Sequence, residues 1–298
     1  MHRKIIFLIF IVSIAMPITV SALDFTILHT NDVHGQLQAS GSNPGMARTA
    51  SVINTVRSTV GANNILLVDA GDEMQGSLLS NILSGEPTIA VFNAMGYNAA
   101  TLGNHEFDCS QSVLISRTTE ATYPFVSSNI VVNDTGNCAT AGWTPPSFVQ
   151  PYIIRSVGTA PDQARVAFLG VTTTETPYIT LAENTEGLCF KDPTESIIHY
   201  YDTVRAQSDV IVVLSHLGYN DGGYGYGYSV YGDQTLAQQL NAAGKSVPLI
   251  IGGHSHTNVA APAVIGNTRV VQAYYSGRRV GRADYSFDTS TKALTFRG

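Results

Sequence analysis

The chain has 298 residues, with 16 Lys and Arg against 22 Asp and Glu, a formal net charge of -6. That balance excludes a protein built to coat nucleic acid, and no nucleic-acid polymer is expected as a partner. With 44% hydrophobic and 13% charged residues the chain can bury a large core, which excludes disorder, and 3 Cys exclude a disulfide-dense scaffold.

At the N-terminus, His2-Arg3-Lys4 is a basic head, Ile5 to Val20 a mostly apolar run, and Val20-Ser21-Ala22 a small-residue cleavage pattern. Residues 1–22 read as a signal peptide, with a secreted or periplasmic mature chain beginning near Leu23. An uncleaved anchor helix is the competing reading, weakened by Pro17 within the run. No later stretch is long and apolar enough to span a bilayer, so no membrane association is expected after cleavage. Export permits disulfides; Cys138 with Cys189 is the expected pair, leaving Cys109 single. Asn133-Asp134-Thr135 would accept a glycan only in a eukaryotic secretory pathway.

Past the signal, short apolar runs alternate with helical patterns. Phe25 to His29 reads as a buried strand; Met46, Ala50, Ile53, Val56 and Val60 then fall on one helix face. Further strands are expected at Ile65 to Val68, Asn98 to Leu102, Phe125 to Ser128, Val166 to Leu169, Val210 to Leu214 and Leu249 to Ile251. Asp192 as N-cap, Pro193 in the first turn and Glu195 three residues after the cap start a helix whose Ile197, Tyr201 and Val204 face inward. Arg269 to Ala273, Ala283 to Phe287 and Leu294 to Phe296 follow without helices between them and suggest an antiparallel finish. The pattern is α/β, read as one domain over residues 23–298. The stretch Asp221 to Tyr231 is rich in Gly and Tyr and reads as a surface loop, either an insertion or an aromatic flap.

Five clusters of polar side chains follow predicted strands, where an open α/β sheet gathers its ligands. They are Asp32-Val33-His34, Asp69-Ala70-Gly71-Asp72, Gly103-Asn104-His105-Glu106-Phe107-Asp108, His216, and His254-Ser255-His256. Taken singly, Asp-x-His is an ordinary turn and a lone His216 a partly buried histidine; the third cluster is the one that chance rarely assembles. Together they supply imidazoles, carboxylates and an amide oxygen, without a thiolate. That donor set suits Zn, Mn, Fe or Co better than Ca and is too large for one tetrahedral ion. Two divalent metal ions roughly 3.5–4 Å apart can share a carboxylate, polarise a phosphoryl oxygen and activate water for in-line displacement. His29, inside its strand, reads as core or as support behind the ligands; His199 as surface; Arg278 and Arg279 as a solvated strand end, with contact to a phosphate as the alternative; and Glu106 as a structural ion-pair partner.

The segment Phe25 through Gly35, together with Asp69 to Asp72, Gly103 to Asp108 and Gly252-Gly253-His254-Ser255-His256, resembles the secreted 5'-nucleotidase family of calcineurin-like metallophosphoesterases. Val271-Gln272-Ala273-Tyr274, with Gly277 and Gly281, resembles it too. The mature chain is similar to that family's N-terminal metal-binding domain. The resemblance implies an α/β/β/α sandwich with mixed sheets. It implies one metal on Asp32, His34, Asp72 and His256, and another on Asp72, Asn104, His216 and His254, with Asp72 bridging. His105 would meet the scissile phosphate and Asp108 would orient its imidazole.

In this family a second domain holds the nucleoside, whereas this sequence stops at Gly298. A fragment, a single-domain enzyme of broad specificity, and a tyrosine loop that substitutes for the second domain are the three expectations. The function expected is an exported dinuclear phosphohydrolase acting on a small-molecule nucleotide, a nucleoside 5'-monophosphate. The alternatives are a cyclic-nucleotide phosphodiesterase, a nucleotide-sugar hydrolase, a thiosulfohydrolase, or a noncatalytic nucleotide-binding secreted protein.

Overall fold

The computed structural model describes residues 22–222 and 230–298. The segment read as a signal peptide, apart from Ala22, therefore lies outside the described residues, as does most of the tyrosine-rich stretch. In chain order the strands are β1 (Ala22–Thr30), β2 (Ile65–Asp69), β3 (Ala99–Thr101), β4 (Phe125–Val126), β5 (Ile130–Val132), β6 (Tyr152–Thr159) and β7 (Asp162–Thr172). They continue with β8 (Leu188–Phe190), β9 (Val210–His216), β10 (Leu249–Gly252), β11 (Ala263–Ile265), β12 (Thr268–Gln272), β13 (Gly281–Asp288) and β14 (Leu294–Phe296). The helices are α1 (Met46–Val60), α2 (Leu78–Ile82), α3 (Glu86–Met95), α4 (Gln111–Glu120), α5 (Thr176–Ile179), α6 (Pro193–Arg205) and α7 (Asp233–Ala242).

Two six-stranded sheets stack face to face, in the orders β14-β13-β1-β2-β3-β4 and β11-β12-β10-β9-β7-β6. Each has a parallel centre; the first is antiparallel at its β13–β14 edge only, its β4 edge being parallel, and the second is antiparallel at both edges, so both are mixed. Ile27, Val68, Phe168, Val212 and Leu214 interlock between them. The outer face of the first sheet packs Leu28 and Leu67 against Ile53 of α1, Phe92 of α3 and Leu114 of α4. The outer face of the second packs Ile211 and Ile250 against Ile197 of α6 and Leu236 of α7. This is the α/β/β/α sandwich. Strands covered on both faces should read as unbroken apolar runs, and all seven residues of β9 are buried.

Local signals act as the sequence predicts in several places. The Asp192 carboxylate accepts the Glu195 N–H at 2.8 Å, Pro193 occupies the first turn of α6, and Ile197, Tyr201 and Val204 are buried. Cys138 and Cys189 are bonded, beside the small sheet of β5 and β8, and Cys109 is free. His29 is buried in β1, and a β-carbon on Gly281 would collide with its ring.

The antiparallel finish holds only in part. β13 and β14 run antiparallel at the edge of the first sheet, but β12 returns to the second sheet and pairs in parallel with β10. The connection crosses between sheets, which apolar spacing does not reveal. Among the described residues, no helix is long and apolar enough to cross a membrane.

Candidate metal centre

Parallel β1, β2 and β3 of one sheet and β9 and β10 of the other bring their carboxyl ends to the same edge of the sandwich. Asp32 and His34 follow β1, Asp72 follows β2, Asn104 and His105 follow β3, His216 is the last residue of β9, and His254 and His256 follow β10. All five clusters read from the sequence therefore meet at one place.

The backbone there is under strain. Nine non-glycine residues among the described ones have positive φ, and five of them are Asp32, His34, Asp72, His254 and His256. A left-handed residue other than glycine costs of order 1–3 kcal/mol and persists where surrounding bonds over-determine it. Those bonds are present. Asp32 N–H donates to Gly71 O at 2.9 Å, His34 N–H to Asp72 O at 2.9 Å, and Ser276 N–H to Asp32 O at 2.7 Å. Gly71 and Gly103 let the β2 and β3 loops touch: a β-carbon on Gly103 would collide with the Asp72 carboxylate.

Three groups of potential ligand atoms lie within 4.8 Å of one another: Asp32, His34 and His256; Asp72, His216 and His254; and His34, Asp72 and His105. Asp72 sits in two of them. The His34 and His256 Nε2 atoms are 2.9 Å apart, and His256 Nε2 is 3.4 Å from Asp32 Oδ1. His216 Nε2 lies 3.0 Å from Asp72 Oδ2 and 3.9 Å from Asp32 Oδ1. Main-chain carbonyls choose the tautomers: His34 Nδ1 meets Gln75 O at 2.8 Å and His216 Nδ1 meets Ala70 O at 2.6 Å. With Nδ1 donating, each Nε2 lone pair is directed at the centre, as ligating histidines require. Asn104 Oδ1 is buried there and has no hydrogen-bond partner among the described residues. An orphaned buried oxygen amid converging imidazoles and carboxylates is what a cation would satisfy. The residues present fit a two-metal centre.

Electrostatics tie Asp72 and His216 together. Burial opposes charge on both Asp72 and His216, but their mutual attraction outweighs it. Asp72 is held well below the usual carboxylate range and His216 is pushed up to about 10. His105 stands apart: its imidazole, 42% exposed, keeps Nδ1 2.6 Å from Asp108 Oδ2. That hydrogen bond, against the opposing effect of burial, raises His105 to about 9. Asp72, Asn104, His105, His254 and His256, together with Ile179, line one cavity of about 310 Å³.

Two roles differ from expectation. Glu106 is no ion-pair partner. Fully buried, its carboxylate accepts the N–H groups of Asp72 at 2.9 Å, Glu73 at 2.8 Å, Met74 at 3.2 Å and Gly103 at 2.7 Å. Arg278 is not a solvated strand end: its guanidinium lies 4.3 Å over Tyr275, whose ring stacks on His256 at 4.8 Å. Arg279 is exposed and His199 stacks on Trp143 at the surface. Glu175 escapes a reading of the sequence, yet its Oε2 is 3.5 Å from His254 Nε2. No motif in its own stretch of chain marks it.

Comparison with known proteins agrees with this geometry. The calcineurin-like phosphoesterase family model matches residues 25–258. A 5'-nucleotidase of Vibrio cholerae serotype O1 is 32% identical over 284 residues, covering 88% of this chain and 48% of that protein. The crystal structure of the calcineurin-like phosphoesterase YfkN from Bacillus subtilis superposes with a TM-score of 0.74 at 25% identity, over 93% of this chain and 89% of that one. A 5'-nucleotidase precursor from Thermus thermophilus superposes with a TM-score of 0.72 at 29% identity, over 92% of this chain and 54% of that one. The chain spans about half the length of the Vibrio cholerae relative. With the fold, the strand-end ligand clusters and the family model in agreement, this chain belongs to the calcineurin-like phosphoesterase family.

Proposed function

We propose that the protein is a dinuclear metal-dependent phosphohydrolase that releases phosphate from nucleoside 5'-monophosphates. The observation that carries the hydrolase reading is Asp72, buried and common to two groups of ligand atoms. Asp32, His34, Asp72 and His256 would hold one divalent ion and Asp72, Asn104, His216 and His254 the other. Bound zinc, manganese, cobalt or iron would supply Lewis acidity to activate water and offset phosphoryl charge.

The remaining chemistry belongs to the chain. His105 is exposed enough to reach substrate, and Asp108 keeps its imidazole protonated and oriented. It would donate to the phosphate as charge builds and assist the leaving oxygen. The nucleotide assignment is supported by the relatives' names, a 5'-nucleotidase in Vibrio cholerae and a trifunctional nucleotide phosphoesterase in Bacillus subtilis. Export is part of the same proposal, supported by the signal-like residues 1–22 and by a disulfide suited to an oxidising compartment.

The test is phosphate release by residues 23–298, with manganese or zinc, from AMP and from an aryl phosphate. A strong preference for AMP supports nucleotide recognition within this chain, and equal release supports a general phosphomonoesterase. No release from either substrate overturns the hydrolase reading.

A further inference from the structure

The end of the sandwich opposite the metal centre carries a second cavity. β9 enters at Val210 and reaches the metal edge at His216, so Val210 and Ile211 mark the far end. There a cavity of about 420 Å³ opens into the layer between the sheets. That volume falls within the roughly 300–1,000 Å³ typical of small-molecule sites.

Its wall combines apolar surface with unneutralised positive charge. Pro248, Val264 and Leu294 supply the apolar part, and Val264 is conspicuously exposed. Arg205, Arg269 and Lys292 face a single carboxylate, Asp209, in a protein whose overall charge is negative. Asp209 is already engaged, by Lys292 at 3.4 Å and Arg165 at 3.6 Å. Arg205 donates to the Ser208 and Asp209 carbonyls. Arg269 is the spare cation: its guanidinium lies 4.1 Å over the Phe296 ring, with no hydrogen bond or ion pair among the described residues.

Beside it stands Tyr285, 2% exposed, whose buried hydroxyl also has no partner among the described residues. Leaving a buried hydroxyl unpaired costs about 1–3 kcal/mol, so each such group in a native fold asks for an explanation. Burial, the larger influence, raises its pKa against the opposing charge of Arg269. The phenol therefore stays protonated and available to donate.

We propose that this cavity binds a small organic anion, one carboxylate or phosphate oxygen group meeting Arg269 and Tyr285 and an apolar body lying along Pro248, Val264 and Leu294. A planar guanidinium already held over an aromatic ring can offer its N–H groups to such an anion with little ordering cost. The site is separate from the metal centre and independent of the substrate assigned there.

The experiment is calorimetric titration of the manganese-loaded chain with benzoate and with benzamide, its neutral analogue. Benzoate should bind, and benzamide at least about tenfold more weakly, because a charged hydrogen bond is lost. Arg269→Gln should weaken benzoate by about tenfold or more, and Tyr285→Phe by about three- to tenfold while keeping the ring stack on Phe25. Phosphate release should be unchanged in both variants, which also shows that they fold. Asp72→Asn should leave benzoate binding intact. The proposal is overturned if benzamide binds as tightly as benzoate, if neither binds, or if binding survives Arg269→Gln but vanishes in Asp72→Asn.

Discussion

The Glu106 carboxylate accepts the backbone N–H of Asp72 at 2.9 Å and, through the same oxygen, that of Gly103 at 2.7 Å. One buried side chain thus ties the loop after β2 to the loop after β3. It also holds Asp72 in its left-handed conformation, φ 58°. Burial and the nearby charge of Asp72 raise its pKa, and the donated backbone N–H groups work against that rise.

Glu106→Gln is therefore expected to keep the fold and lose metal affinity. The amide keeps one oxygen acceptor but turns an NH2 group toward N–H donors at the other position, either those of Asp72 and Gly103 or those of Glu73 and Met74. Losing support of this kind behind a metal ligand costs about 10–100-fold in affinity. Calorimetric titration with manganese, beside a thermal melt, separates affinity from stability. Unchanged metal binding would show that the clamp does not matter to the centre.

Asp72→Asn and His105→Asn should separate metal holding from chemistry. Asp72 stands in one group with His216 and His254 and in another with His34, so its loss should weaken both metals and remove turnover. His105 contacts Asp108 at its exposed edge; its loss should lower turnover about 10²–10⁴-fold with metal content nearly intact. Metal analysis beside kinetics checks both. Loss of both metals in the His105 variant would make it a ligand rather than a proton donor.

The contrast between these residues shows what sequence can reveal. Polar groups gathered at strand ends occur as short clusters, so the candidate ligands Asp32, His34, Asp72, Asn104, His254 and His256 are visible as residue types. The core strands are visible because burial on both faces leaves unbroken apolar runs, as in β9. Glu106 is invisible in its role because its partners are backbone N–H groups, which carry no side-chain signature. Arg278 misleads for a related reason. Its place over Tyr275 depends on left-handed turns at Tyr274 and Ser276, and nothing in their residue types announces those turns. β5, β8 and β11, three residues each, are not legible in the apolar pattern, although the equally short β14 is.

Reduction of the Cys138–Cys189 bond should lower stability without touching the centre. The bond links residues 51 apart in sequence at the small sheet of β5 and β8, where Cys189 packs with Val131 and Ala141 rather than with a candidate ligand. A bridge of this kind contributes about 2–4 kcal/mol. A thermal melt with and without reductant should show a lower midpoint after reduction, with AMP hydrolysis retained below it. An unchanged midpoint would mean that the surrounding packing of Val131, Ala141 and Trp143 holds the segment alone.

Asp108→Asn should move the alkaline limit of turnover downward. Asp108 raises His105 to about 9, chiefly through the 2.6 Å hydrogen bond, so the proton stays on the imidazole through neutral pH. A raised histidine is protonated below its folded pKa and loses that proton as pH rises through it. Turnover that needs the protonated ring should therefore fall on the alkaline side of neutrality. Without the carboxylate the imidazole releases its proton nearer its ordinary value of about 6.5. The variant should then match the wild type most closely in mild acid and fall behind it progressively toward an alkaline pH of about 8, between those two values. A pH profile of kcat at saturating manganese reads this directly. Parallel profiles, lowered equally at every pH, would mean that Asp108 orients the ring but does not hold its proton.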